Sequence, residues 1–141
     1  MKIVLVTTLG KEIVPSGIVS AVLTQTAEVA CDSLSIKIIG GKSLDEIERV
    51  YAYKNNKLIF NGYCDCQRTT ADERGFETYI YARSSACLLV DNDAFAYTYN
   101  RPSAQSLFDA YAKPFGFSYK LDDICTFKKY EVSSGSSLYG A

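Results

Sequence analysis

Three observations in this 141-residue chain predict an α+β fold that is mainly β. Ser33–Ile39 alternates cleanly, with Leu34, Ile36 and Ile38 on one side and Ser33, Ser35 and Lys37 on the other. Two longer strand-like runs, Leu58–Arg68 and Gly75–Arg83, follow it as an antiparallel meander. Beyond Ser84 the apolar period turns helical, with Ala104, Leu107, Phe108 and Tyr111 at helical spacing. The predicted division is therefore an antiparallel β domain over 1–84 and a small helix-containing α/β subdomain over 85–141.

Taken in order, Ile3–Thr7 and Ile13–Val14 flank a turn at Leu9-Gly10-Lys11 and read as a hairpin. Pro15-Ser16-Gly17 breaks the chain. Ile18–Gln25 alternates weakly, with Ile18, Ser20, Val22 and Thr24 on one side. Gly40-Gly41 ends the Ser33–Ile39 strand. Ser43 and Glu46 have capping-box spacing, which predicts one helical turn before strand-like Val50–Tyr53.

Asn55-Asn56 suits the two left-handed positions of a tight hairpin. That register places Tyr53 opposite Leu58 and Tyr51 opposite Phe60. Thr69–Arg74 reads as a polar loop. The next strand separates Phe76, Thr78, Ile80 and Ala82 from Glu77, Tyr79, Tyr81 and Arg83.

In the second part, Ser84 or Ser85 caps a short helical segment ending at Asp91. A polar and aromatic connection then leads to a helix over Ser103–Lys113, which Pro114 stops. Phe117–Leu121 and Thr126–Val132 read as short strands. Ser134–Tyr139 reads as the cap and first turn of a further helix, so the chain is expected to be the N-terminal portion of a longer protein.

Composition narrows the function. A net charge of −1 and a pI near 5.4 give no attraction to a phosphate backbone, so no nucleic-acid partner is expected. The opening apolar run, Ile3–Val6, is far shorter than a signal-peptide core or a membrane span, so no membrane role is expected either. Five cysteines without an export signal read as free thiols in a cytoplasm-like compartment. The close pair Cys64 and Cys66 would share a strand face about 7 Å apart, with no second pair to complete a metal site.

Few residues of the chain suit catalytic or metal chemistry. Without histidine the chain has no Ser-His or Cys-His nucleophile pair and no His-based metal site. Gly40-Gly41-Lys42-Ser43 resembles only the end of a phosphate-binding loop and lacks its first glycine. Asp91-Asn92-Asp93 lacks the glycine and distal glutamate of a calcium loop. Asp72-Glu73 and Asp122-Asp123 sit in turn-like polar segments, where solvated carboxylates are the norm. No catalytic, cofactor-binding or metal residue is expected, and the chain is not expected to be an enzyme.

What stands out is tyrosine, with 11 residues. Tyr63, Tyr79 and Tyr81 would form an aromatic stripe on the sheet face opposite the core. This is either ordinary half-exposed strand tyrosine or a candidate subunit interface, since such rings suit protein contacts.

The ordered pattern Lys57–Tyr63, Tyr79–Ser84, Leu88–Asp91, Ser106-Leu107-Phe108 and Lys113–Phe117 resembles the baseplate hub family of phage tails. That family includes the phage Mu baseplate hub and late control D-type tail proteins. Asp32–Ile36 also looks like an early strand of the family. Arg83-Ser84 stands where the family often has Gly-Arg.

The resemblance implies a β-barrel-like hub domain similar to a tail-tube domain, assembled as a trimer. It implies a virion structural protein of a phage or prophage. Its expected partners are copies of itself, the tail tube, the central spike and other baseplate proteins. Its expected location is the virion tail, with assembly in the host bacterial cytoplasm. Two readings stand beside it: a carbohydrate- or cell-surface-binding β-module, and the N-terminal part of a larger tail-associated hydrolase.

Overall fold

A computed structural model describes residues 1–73, 75–120 and 125–140. It divides into two compact units, Met1–Ala86 and Cys87–Ala141.

The first unit is one antiparallel sheet of seven strands. In chain order they are β1 (Lys2–Thr7), β2 (Glu12–Ile13), β3 (Ile18–Thr24), β4 (Ser33–Gly40), β5 (Ile47–Lys54), β6 (Lys57–Asp72) and β7 (Gly75–Ser84). Their spatial order is β2-β1-β5-β6-β7-β4-β3. The inward face carries Ile3, Leu5, Leu34, Ile36, Val50, Ala52, Phe60, Ile80 and Ala82, all nearly or fully buried. Full burial of a branched aliphatic side chain stabilises by about 1.5–3 kcal/mol, and β-branched residues also suit the pleat. Leu34, Ile36 and Ile38 thus lie inside, as their alternation requires.

The expected barrel does not close. The end strands β2 and β3 are not paired with each other. They are nonetheless successive in the chain, joined only by Val14–Gly17, a reach on the order of 17 Å. The sheet must therefore curl until its two ends are this near. Pro15 offers no N–H, so β2 stops after two residues and no strand remains to bridge the gap. The crossing is tight at Gly17, whose carbonyl accepts the Ile39 N–H at 2.8 Å. A Cβ at Gly17 would stand 1.8 Å from the Ile39 carbonyl oxygen, so only glycine fits that approach.

Bulges explain where register and face depart from simple alternation. One lies between Ile18 and Ser20, so Ile18, Ala21 and Leu23 pack on the core while Val22 points out, reversing the expected face. Asn55 and Asn56 take left-handed φ of 51° and 61°, as the hairpin requires, and Tyr53 does face Leu58. A bulge at Ala52/Tyr53 then sets Ala52, not Tyr51, opposite Phe60.

Two other local expectations also fail. The ladder of β6 and β7 continues through Asp72, so Thr69–Asp72 is strand rather than loop. No helical turn forms at Ser43–Glu46. Instead the Gln67 side chain clamps an extended segment, accepting from Ile47 N–H at 2.8 Å and donating to the Asp45 carbonyl at 3.1 Å. Leu44 packs against the core from that segment.

The second unit contains α1 (Cys87–Val90), β8 (Tyr97–Asn100), α2 (Ala104–Tyr111), a 3-10 turn (Lys113–Phe115) and β9 (Lys129–Val132). Helix α2 begins one residue after the predicted start, where Ser103 caps it, its Oγ accepting from Ser106 N–H at 3.1 Å. The aromatic connection before Arg101 contains β8, which pairs antiparallel with β9. Its Tyr-Thr-Tyr composition is strand-like but too short to show a period. Among the described residues, 117–120 form no strand; Leu121 lies outside them. Ser134–Tyr139 is turns and one bridge, Asp93 to Ser137, rather than a helix. Ala94, Tyr111 and Val132 form the small core, packed by Tyr99, Leu107, Tyr130 and Leu138.

Candidate subunit interface

The outward face of the first unit is built from cross-strand rows. One row runs Val22, Ser35, Tyr81 and Cys66 across β3, β4, β7 and β6. The next runs Ser20, Lys37, Tyr79 and Arg68 over the same strands. A third runs Thr24, Ser33, Arg83, Tyr63 and Arg49, reaching β5. Tyr63, Tyr79 and Tyr81 are thus brought onto one face, because Tyr63 pairs with Arg83 two residues beyond Tyr81.

The three rings differ in how free they are. Tyr63 is engaged within the sheet: its hydroxyl accepts from Arg49 Nη1 at 3.0 Å, and the guanidinium lies 4.3 Å from its ring centroid. Arg49 also donates from Nη2 to Asn61 Oδ1 at 2.7 Å and lies 5.6 Å from the Tyr51 ring, while its Nε is buried without a partner. Tyr81 is half-buried. Tyr79 is the most open, 40% exposed, and its hydroxyl donates only a long bond to Ser35 Oγ at 3.4 Å.

Charges on this face are partly matched. Lys37 pairs with Glu77 at 2.9 Å, and Arg83 with Asp65. These exposed pairs fix side-chain directions more than they stabilise. A shallow groove of about 240 Å³ runs between Lys37, Arg68, Thr70, Glu77 and Tyr79.

The cysteine pair is not a shared-face site. A bulge at Asp65 puts Cys64 opposite Ala82, against the core, and Cys66 opposite Tyr81, on the outward face. Burial pushes the Cys64 thiol up, to about 11, which keeps it protonated and unreactive near neutrality. Among the described residues no group of three His, Cys, Asp or Glu side chains is placed to hold a metal ion.

The glycine-rich segment Gly40–Lys42 lines a cavity of about 250 Å³ with Ile13, Pro15, Leu44 and Phe76. No helix follows that segment to offer its N-terminus to a phosphate. Asn92 donates to the Leu88 carbonyl at 2.6 Å and so closes the end of α1. Asp72 lies in β6 at the hairpin. Asp122 and Asp123 lie outside the described residues.

Sequence reasoning found the tyrosines but missed Arg49, which orders Tyr63. Its placement depends on the pairing of Arg49 with Tyr63 across β5 and β6. A cation opposite an aromatic residue was the available signal.

No protein-family model matches the chain, and no curated protein matches it. Solved structures do. The chain is similar over 98% of its length to the 43 kDa tail protein of prophage MuSo2 from Shewanella oneidensis, with a TM-score of 0.78 and 19% identity. It is also similar over 98% of its length to the tail protein from Neisseria meningitidis MC58, with a TM-score of 0.74 and 16% identity. It spans 47% of the first protein and 43% of the second, a little under half of each. The fold of this chain is therefore the fold found in part of two tail proteins.

Proposed function

We propose that the chain is a structural component of a phage or prophage tail. More specifically, it is a baseplate hub-like protein that joins tail tube and central spike by symmetric assembly. The observation that carries this reading is the agreement in fold, over nearly the whole chain, with two tail proteins. The ordered motifs from Lys57 to Phe117 support it. So does the organisation of the first unit, an open curved sheet with an aromatic outward face.

In this reading Met1–Ala86 is the hub domain and the second unit leads into the rest of the assembly. The protein acts by contact rather than catalysis. Its partners are further copies, most simply three around an axis, together with tube, spike and other baseplate proteins. It is assembled in the bacterial cytoplasm and resides in the virion tail.

Immunogold labelling tests this directly. Antibodies against the chain should mark particles from an induced lysogen at the end of the tail tube. Particles that lack label along the whole tail would contradict the reading.

A further inference from the structure

The two ends of the sheet are unlike in a way that the fold does not require. At one end β2 is two residues long and covers only Leu5 and Val6 of β1, leaving Lys2–Val4 without an outer neighbour. At the other end β3 offers seven residues, Ile18–Thr24, paired on one side only. Monomeric proteins blunt such edges with charge, proline or shortness. The sequence Ile-Val-Ser-Ala-Val-Leu-Thr has no charged residue and no proline, and its Val19 and Val22 are 60% and 55% exposed. An uncharged, β-branched edge with open N–H and C=O groups is a template for another strand.

Strand directions indicate which strand fits. Every pairing in the sheet is antiparallel, so following the order from β1 through β5, β6, β7 and β4 makes β3 run opposite to β1. A second copy turned about an axis along the strands would present its β1 antiparallel to β3, continuing the alternation. Val4 lies on the outward side of the sheet beside Tyr51 but is only 8% exposed, so the backbone of Lys2–Val4 rather than its side chains would make the contact.

We propose that β3 is an acceptor edge for a second copy of this chain, whose uncovered β1 segment Lys2–Val4 lies antiparallel against it. The contact is head-to-tail, uses both open edges of every copy and closes into a ring when the rotation closes. This deepens the tail-assembly reading and rests on it.

The experiment is sedimentation velocity of the intact protein and of two variants. The wild type should sediment as a ring of three or more chains. Val19→Lys with Val22→Lys should sediment as single chains, and Val14→Lys, equally exposed but outside β3, should match the wild type. As a variant-free check, β3 amides should exchange with deuterium more slowly in concentrated than in dilute protein. A ring that persists unchanged in the double variant, with β3 amides exchanging freely, would overturn the edge contact. Tail labelling would still stand in that case. A species of two chains only, abolished by the β3 lysines, would also overturn it, by showing an isologous pairing of β3 with itself.

Discussion

The two units of this chain hold themselves together by different means. The first relies on long ladders and aliphatic side chains: Leu5, Leu34, Ile36, Val50 and Ile80 are all completely buried. Among its described residues the second has only four-residue strands, and its core centres on Tyr111, whose hydroxyl accepts from Tyr99 at 3.2 Å and donates to the Phe95 carbonyl at 3.1 Å. A core of aliphatic groups tolerates no loss of volume. A core built on tyrosine depends on the partners of each hydroxyl and on its staying protonated. The contrast fits a rigid scaffold followed by a smaller unit of finer margin.

Substitutions in each unit should lower stability by unequal amounts. The largest effect is expected from Ile36→Ala, which leaves a cavity between β3 and β7 and should cost about 2–5 kcal/mol in urea unfolding. Gly62→Ala comes next. Its Cβ would lie 2.2 Å from the Arg83 carbonyl oxygen and 2.7 Å from the Phe60 ring, so the backbone must shift, at about 1–3 kcal/mol.

Tyr111→Phe should cost about 1 kcal/mol and act on the second unit alone, which near-ultraviolet circular dichroism with each unit's mutants would separate. Lys37→Ala should cost least, about 0–1 kcal/mol, because both partners of its ion pair are over 40% exposed.

Alkaline titration sharpens the same comparison. Burial, and then the Tyr99 hydrogen bond, push the Tyr111 hydroxyl from 10 to about 12. A group raised on folding contributes stability that is complete below its unfolded value and is lost as pH rises through the folded one. The Tyr111 contribution should therefore be whole below pH 10 and fall between 10 and about 12. Tyrosinate absorbance should show one ring titrating late, and Tyr111→Phe should remove that late step. In the first unit Cys64, raised by burial from 9 to about 11, should react with thiol reagents far more slowly than exposed Cys66 at pH 8.

Much of this architecture was legible in the sequence, and the exceptions share a cause. Leu34–Ile38, the Asn55-Asn56 turn and the helical spacing from Ala104 to Tyr111 are local signals, and each sits where its own chemistry puts it. The Tyr51 register, the face of Ile18–Thr24 and the Cys64–Cys66 pair were misread because each contains or borders a bulge. A bulge adds one residue without any compositional mark, and every side chain beyond it changes face.

The capping box at Ser43 lost to tertiary structure, since Gln67 from β6 supplies the bonds that a helical turn would have made. The open sheet was equally hidden. Whether seven strands close depends on the pairing of β2 and β3, which no alternation reports. Of the candidate interface, the three tyrosines were legible, whereas the unequal availability of Tyr63 and Tyr79 follows from Arg49.

Light scattering of the intact protein across a wide concentration range decides whether copies of this chain assemble. The mass should settle at that of a closed ring, most simply three chains, as concentration rises. A mass that stays at one chain throughout, with binding to a glycan array through the outward tyrosines, would contradict self-assembly and favour a recognition module.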